Sequence, residues 1–184
     1  MTRAQPADSG MADADQVRLL VEALRARDET AWSQLYDQNF HPLYLYSLAR
    51  VHDRGAAEEI ASQVFEEALR GIKGFQYRGV SLRAWLYGIA RNVTADHIRK
   101  RARRPESQLF DYPAALDEMR AAGIRTDFIS ALQNLTEEQQ QVVILRFVQD
   151  LTVADTAHVV GKSEGAVKML QLRALEKLRD EMSR

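Results

Sequence analysis

The chain has 184 residues, 46% hydrophobic and 28% charged, which supplies one or two folded cores and excludes a wholly disordered chain. It has no cysteine, so disulfide frameworks, thiolate metal sites and cysteine nucleophiles are excluded together. No apolar run approaches the ~20 residues of a membrane span, and MTRAQPADSG lacks a basic-then-apolar signal pattern, so the expected location is the cytoplasm without membrane insertion.

Residues 1–14 are rich in Ala, Asp, Ser, Gly and Pro without an apolar period, the composition of a disordered tail. From Asp15, the positions Val17, Leu20, Val21 and Leu24 follow helical spacing, and a second series runs from Trp32, Leu35 and Tyr36 to Leu43, Leu45, Tyr46 and Leu48. Asp53 is placed to cap a third helix with the stripe Ile60, Val64 and Leu69, ended by Gly71 and Gly74. GFQYRGV is a loop. Ser81 then caps a helix with the stripe Trp85, Leu86, Ile89 and Val93, whose pattern continues through Ile98 into RKRARRP, where Pro105 marks a stop.

Residues 105–126 hold two prolines and a glycine with little periodicity, a linker with room for one short helix. The helical period returns at Asp127. Thr136 and Gln139 stand at the two capping-box positions, and further helix starts follow at Thr152 and Ser163. No strand-like alternation of useful length appears. The expected fold is all-α, with two helical domains at 15–104 and 127–184 joined by a flexible linker.

The net charge of −1 hides an asymmetry, because residues 70–104 hold ten basic side chains and a single acid, Asp96. A block of that kind suits phosphate backbones, and its acidic surroundings suit a basic partner. Near the C-terminus, Ala157, Gly161 four residues on and Val167 six after that have the spacing of a helix-turn-helix: a small residue for close approach, a glycine for a left-handed turn, and a wedge. Its second helix would present Glu164, Lys168, Gln171 and Arg173 to a major groove. An ordinary helical hairpin with a solvated basic face fits the same spacing; the upstream basic block favours DNA.

These stretches resemble the extracytoplasmic-function sigma factors of bacterial RNA polymerase. AAEEIASQVFEEALRGIKGF is similar to the family's clamp-binding helix, SLRAWLYGIARNVTADHIRKRARR to its promoter-melting helices, and LQNLTEEQQQVVILRFVQDLTVADTAHVVGKSEGAVKMLQLRALEKLR to its C-terminal DNA-binding domain. The resemblance implies a first domain that binds core RNA polymerase and opens the −10 element, a second that reads the −35 element of promoter DNA, and control by an anti-sigma factor. By motif position, Glu58, Glu59, Ser62 and Gln63 meet the polymerase. Asn92, Val93 and Thr94 would form a turn that holds a flipped base, with Arg91, Arg99, Lys100 and Arg103 on phosphates and Tyr77 and Tyr87 available for stacking. The −35 contacts fall on Lys162, Ser163, Glu164, Lys168, Gln171 and Arg173. Trp85, Tyr44, Tyr46 and Phe65 are expected in the core.

Two departures from the family pattern stand out. Ala56, Ser62 and Gln63 flank Glu58 and Glu59 where a denser acidic cluster is usual, and Met169 and Leu170 replace a common serine and arginine. Leu170, Leu172 and Leu175 would pack on the domain or face an anti-sigma factor. Two other readings are a helix-turn-helix regulator that does not engage polymerase, and an enzyme. Against the enzyme, His41, His52, His97 and His158 lack metal-ligand spacing, and no phosphate loop or nucleophile motif occurs, so no cofactor or metal is expected.

Overall fold

A computed structural model describes residues 8–77, 79–103 and 112–182, without the side chains of 8–14, 112–116 and 126. Among them every regular element is helical. Helix α1 (Asp8–Arg25) begins seven residues before the first position of the expected helix, which corrects the tail over 8–14. Ala12 and Ala14 are strong helix formers, which favours the longer helix. Residues 1–7 and the stop at Pro105 lie outside the described residues.

Helix α2 (Glu29–Val51) is capped by Asp28, which accepts from the Ala31 amide at 2.8 Å. Helix α3 (Arg54–Gly71) runs into a 3-10 turn at Ile72–Gly74, and Ser81 caps α4 (Leu82–Ala102) by accepting from the Ala84 amide at 3.0 Å. Helices α2, α3 and α4 pack together. Their apolar stripes bury Leu43, Leu48, Ile60, Val64 and Leu86 almost completely, each contributing about 1.5–3 kcal/mol. Tyr44, Tyr46 and Phe65 are buried as expected, and Trp85 is half-buried against Phe75 with ring centroids 5.2 Å apart.

Asp53 ties α3 to α4. Its carboxylate accepts from the Ala56 amide at 2.9 Å and pairs with Arg101 at 3.2 Å. The amide bond first, then the guanidinium, hold the carboxyl below its ordinary value. A depressed value in the folded state makes this contribution complete above about pH 4 and lost as the pH falls further. Asp53→Ala is expected to cost about 1–2 kcal/mol in urea unfolding at neutral pH. The gap between variant and parent should narrow below about pH 4; a gap that stays constant with pH would remove the electrostatic part of this account.

The linker contains α5 (Tyr112–Ala121), docked onto the first domain. Glu118 accepts from the Tyr44 hydroxyl at 2.7 Å and from Arg54 at 2.6 Å, and Met119 beside it is buried. This described part of the linker is therefore folded and anchored. Burial and the adjacent Glu118 raise the Tyr44 phenol; burial pushes Glu118 up, but the bonds from Tyr44 and Arg54 outweigh it and leave the carboxyl lowered.

The second domain comprises α6 (Thr126–Leu132), α7 (Glu137–Val143), α8 (Val153–Val160) and α9 (Glu164–Met182). The capping box at Thr136 forms in both directions, with bonds of 3.3 and 3.0 Å to and from Gln139. Helix α7 passes directly into a π-helical segment, Ile144–Val148, which sequence periodicity does not disclose. Thr152 and Ser163 cap α8 and α9 through the Asp155 and Ala166 amides at 3.0 and 3.2 Å.

Candidate nucleic-acid interface

The helix-turn-helix forms from the residues whose spacing announced it. Ala157 is buried under α9, Gly161 takes φ +68°, and Val167 has no exposed surface. The Gly161 turn lets the Lys162 amide reach the Ala157 carbonyl at 3.0 Å, which closes α8 and starts α9 at a fixed angle. Along α9, Val167, Ala174 and Leu178 are buried, so the opposite face carries Lys168, Met169, Leu172 and Arg173 to the surface.

Of the six residues expected on the −35 element, Ser163, Glu164, Lys168 and Arg173 are exposed. Lys162 is half-buried and bridges to Glu138 of α7 at 2.8 Å. Gln171 lies on the flank nearest the core, where its carbonyl accepts from Arg146 at 3.2 Å. This engagement does not suit the adenine contact expected of Gln171, because the amide oxygen already has a charged donor inside the domain.

In the first domain, Arg91, Asn92, Arg99, Lys100 and Arg103 lie on the accessible side of α4, and Tyr77 on the loop before it is 44% exposed. Three expectations are corrected. Asn92, Val93 and Thr94 form no turn: they lie within one uninterrupted helix, with Thr94 fully buried and Val93 reaching only the floor of the groove between α3 and α4, so the three do not gather around a base. Tyr87 has no exposed surface and meets Tyr46 edge-on at 5.4 Å, which removes it as a stacking surface in this conformation. The helical period explains all three, since positions 87, 90, 93 and 94 fall on one side of α4. The Thr94 hydroxyl has no hydrogen-bond partner among the described residues.

Glu58, Glu59, Ser62 and Gln63 share the exposed face of α3. Glu59 and Gln63 look into a groove of about 740 Å³ between α3 and α4 whose other wall includes His97, Lys100 and Arg103. Ser62 looks the other way, into an apolar groove with Trp32, Tyr36, Phe65 and Leu69. The acidic and basic surfaces identified by charge patterning are thus adjacent faces of one helix pair.

The feature that sequence reasoning missed is the contact between domains. The Tyr87 hydroxyl donates to Gln149 Oε1, and Gln149 Nε2 donates to the Pro42 carbonyl at 3.3 Å. Gln141 Nε2 donates to the Tyr46 hydroxyl at 3.0 Å, Arg50 pairs with Glu137, and the Ser81 amide donates to Asp155 at 3.1 Å. Helix α4 meets α8 across the same boundary. The outcome is a cleft of about 510 Å³ in which Arg91, Asn92 and Arg99 of the first domain face Glu137, Glu138 and Lys162 of the second.

The two halves correspond to known family regions. Sigma-70 region 2 matches residues 35–104, and Sigma-70 region 4 matches residues 131–180. The ECF RNA polymerase sigma factor BldN of Streptomyces coelicolor is 38% identical over 180 residues, spanning 91% of this chain and 67% of BldN. Two solved structures share the fold. CnrH, solved with the cytosolic domain of CnrY, is 22% identical with a TM-score of 0.71 over 91% of this chain and 97% of its own. The sigma factor RpoE of Bartonella quintana, solved with the anti-sigma factor NepR, is 20% identical with a TM-score of 0.58 over 94% and 97%. With both regions present in order and a relative 38% identical over 91% of the chain, the chain belongs to the ECF sigma factors of bacterial RNA polymerase.

Proposed function

We propose that this sigma factor binds core RNA polymerase through the exposed face of α3, at Glu58, Glu59, Ser62 and Gln63. Arg91, Asn92, Arg99 and Lys100 of α4, with Arg103 just past its end and Tyr77, engage and open the −10 element. Helix α9 engages the −35 element through Lys168, Arg173, Glu164 and the helix start at Lys162 and Ser163. The working units are residues 15–104 and 127–184, joined by 105–126; the protein acts in the cytoplasm, by binding and not by catalysis. An anti-sigma partner is expected, as NepR is for RpoE of Bartonella quintana.

One observation supports a further step, which is that Arg91, Asn92 and Arg99 of the −10 set face Lys162, at the start of the −35 helix, across a single cleft, while Ser163, Glu164, Lys168 and Arg173 lie outside it. The two promoter elements lie a little over two duplex turns apart, roughly 70 Å, and one cleft cannot hold both. The docked arrangement is therefore the promoter-free form, and loading onto polymerase and DNA separates the domains. Spanning that distance also releases α5 from the first domain, since residues 105–126 reach about 70 Å only when all 22 are extended.

The test combines the full chain, core polymerase of its host and fragmented host DNA, with transcript 5′ ends mapped. New starts sharing two upstream sequence blocks are expected. Asn92→Ala should relax the downstream block, and Lys168→Ala should weaken binding across all sequences while lowering the salt slope by about one. Starts that ignore both substitutions would overturn the assignment of these helices.

A further inference from the structure

The outward pole of α9 is apolar where it should be most polar for hydrogen-bonded base reading. Met169 is 48% exposed and Leu172 51% exposed, one turn apart on the same face. Their neighbours are divided by chemistry. Leu170 turns back to pack against the core, and Gln171 is engaged by Arg146, so neither competes for the groove. Lys168 and Arg173 stand exposed to either side, and residues 162–179 carry five basic and two acidic side chains. Exposed apolar side chains between phosphate-binding cations need an apolar partner on a negatively charged polymer. The major groove displays one such group, the C5 methyl of thymine.

We infer that Met169 and Leu172 read thymine methyl groups in the upstream promoter element, so that this sigma factor's −35 preference includes thymines selected by apolar contact. The inference rests on the reading of α9 as the −35 helix. The flanking cations favour DNA over an uncharged protein surface as the occupant, because they supply the phosphate contacts that hold the helix in register. Of the exposed polar side chains at the start of α9, Glu164 is the one suited to a cytosine amino group, and Lys168 and Arg173 to guanine or phosphate. Apolar contact at the pole adds a thymine preference that none of these provides.

The experiment uses the full chain with core polymerase and selects promoters from a library randomised across the upstream block. The best site is then remade with every thymine in that block replaced by deoxyuridine, which keeps the pairing and removes only the methyl. Binding is expected to weaken about fourfold per contacted methyl. The variant Met169→Ser/Leu172→Gln should bind both duplexes alike and select fewer thymines; both positions are exposed, so its helical content should match the parent's. Lys168→Ala distinguishes the two levels of failure. If it has no effect on binding, the placement of α9 on DNA fails. If it weakens binding while the deoxyuridine duplex binds the parent as tightly as the thymine duplex, the methyl readout fails. A double variant that keeps its promoter preference but loses an anti-sigma partner assigns this face to protein and also overturns the inference.

Discussion

Val167→Asp is expected to unfold the second domain and leave the first intact. Val167 has no exposed surface and wedges α9 against α8, within a small core that includes Leu145, Ala157, Val160, Ala174 and Leu178. A carboxyl group placed there has no partner and no water, a cost of several kcal/mol that exceeds about 4 kcal/mol even if the group takes up a proton. A domain of this size has little stability beyond that to lose. The first domain is spared because α2, α3 and α4 pack extensively on one another. In hydrogen exchange, amides of α6 to α9 should lose protection while those of α2 to α4 keep it, and binding that depends on the upstream element should disappear. Val167→Ala, which removes two methyl groups without adding charge, should be milder. If Val167→Asp kept protection in α9, the wedge role would be wrong.

Local caps and long-range docking were not equally legible in the sequence. The caps at Asp53, Thr136 and Ser163 were readable because each is a side chain bonding a backbone amide three residues ahead. The helix-turn-helix was readable for a related reason, as Ala157, Gly161 and Val167 satisfy steric demands set within ten residues. Thr152 shows where such reading ends. It caps α8 as expected, but the acid three residues on, Asp155, turns away to the Ser81 amide, 74 residues distant in the chain. Tyr87 has the same lesson: its place on α4 follows from the helical period, yet the partner of its hydroxyl lies 62 residues away. The anchoring of α5 by Tyr44 and Arg54 spans 74 and 64 residues. Local hydrogen-bond satisfaction can be read from spacing, whereas long-range partners depend on how already-formed helices dock.

That docking leads to the other large expected effect. Gln149→Ala should open the molecule without weakening either domain. The Gln149 side chain is buried, and its bonds to Tyr87 and the Pro42 carbonyl both cross the boundary. Its loss removes the bond from the fully buried Tyr87 hydroxyl and the added bond to the Pro42 carbonyl in the docked form, at about 0.5–1.5 kcal/mol each and so about 1–3 kcal/mol together. In the separated form water serves both groups, so the penalty falls on docking alone. A shift of that size moves the docking equilibrium roughly 5- to 150-fold. The chain has no native cysteine, so dyes on cysteines replacing the exposed Arg70 and Glu176 report the separation uniquely. Energy transfer should fall in Gln149→Ala and in Tyr87→Phe, while urea unfolding of each domain stays put. Promoter affinity of the free protein should rise, because the apparent constant is the intrinsic one divided by the competent fraction, and the rise ends once the open form dominates. Unchanged energy transfer together with weaker promoter binding would mean that Gln149 belongs to the DNA surface and that the docked form does not hold the promoter-binding faces in reserve. The hydrogen bonds that cross the boundary are what make the switch physically reasonable: those between Tyr and Gln side chains specify one docked geometry, but each group regains a partner from water on release, so that part of the docking is given up at modest cost when polymerase and DNA offer larger surfaces.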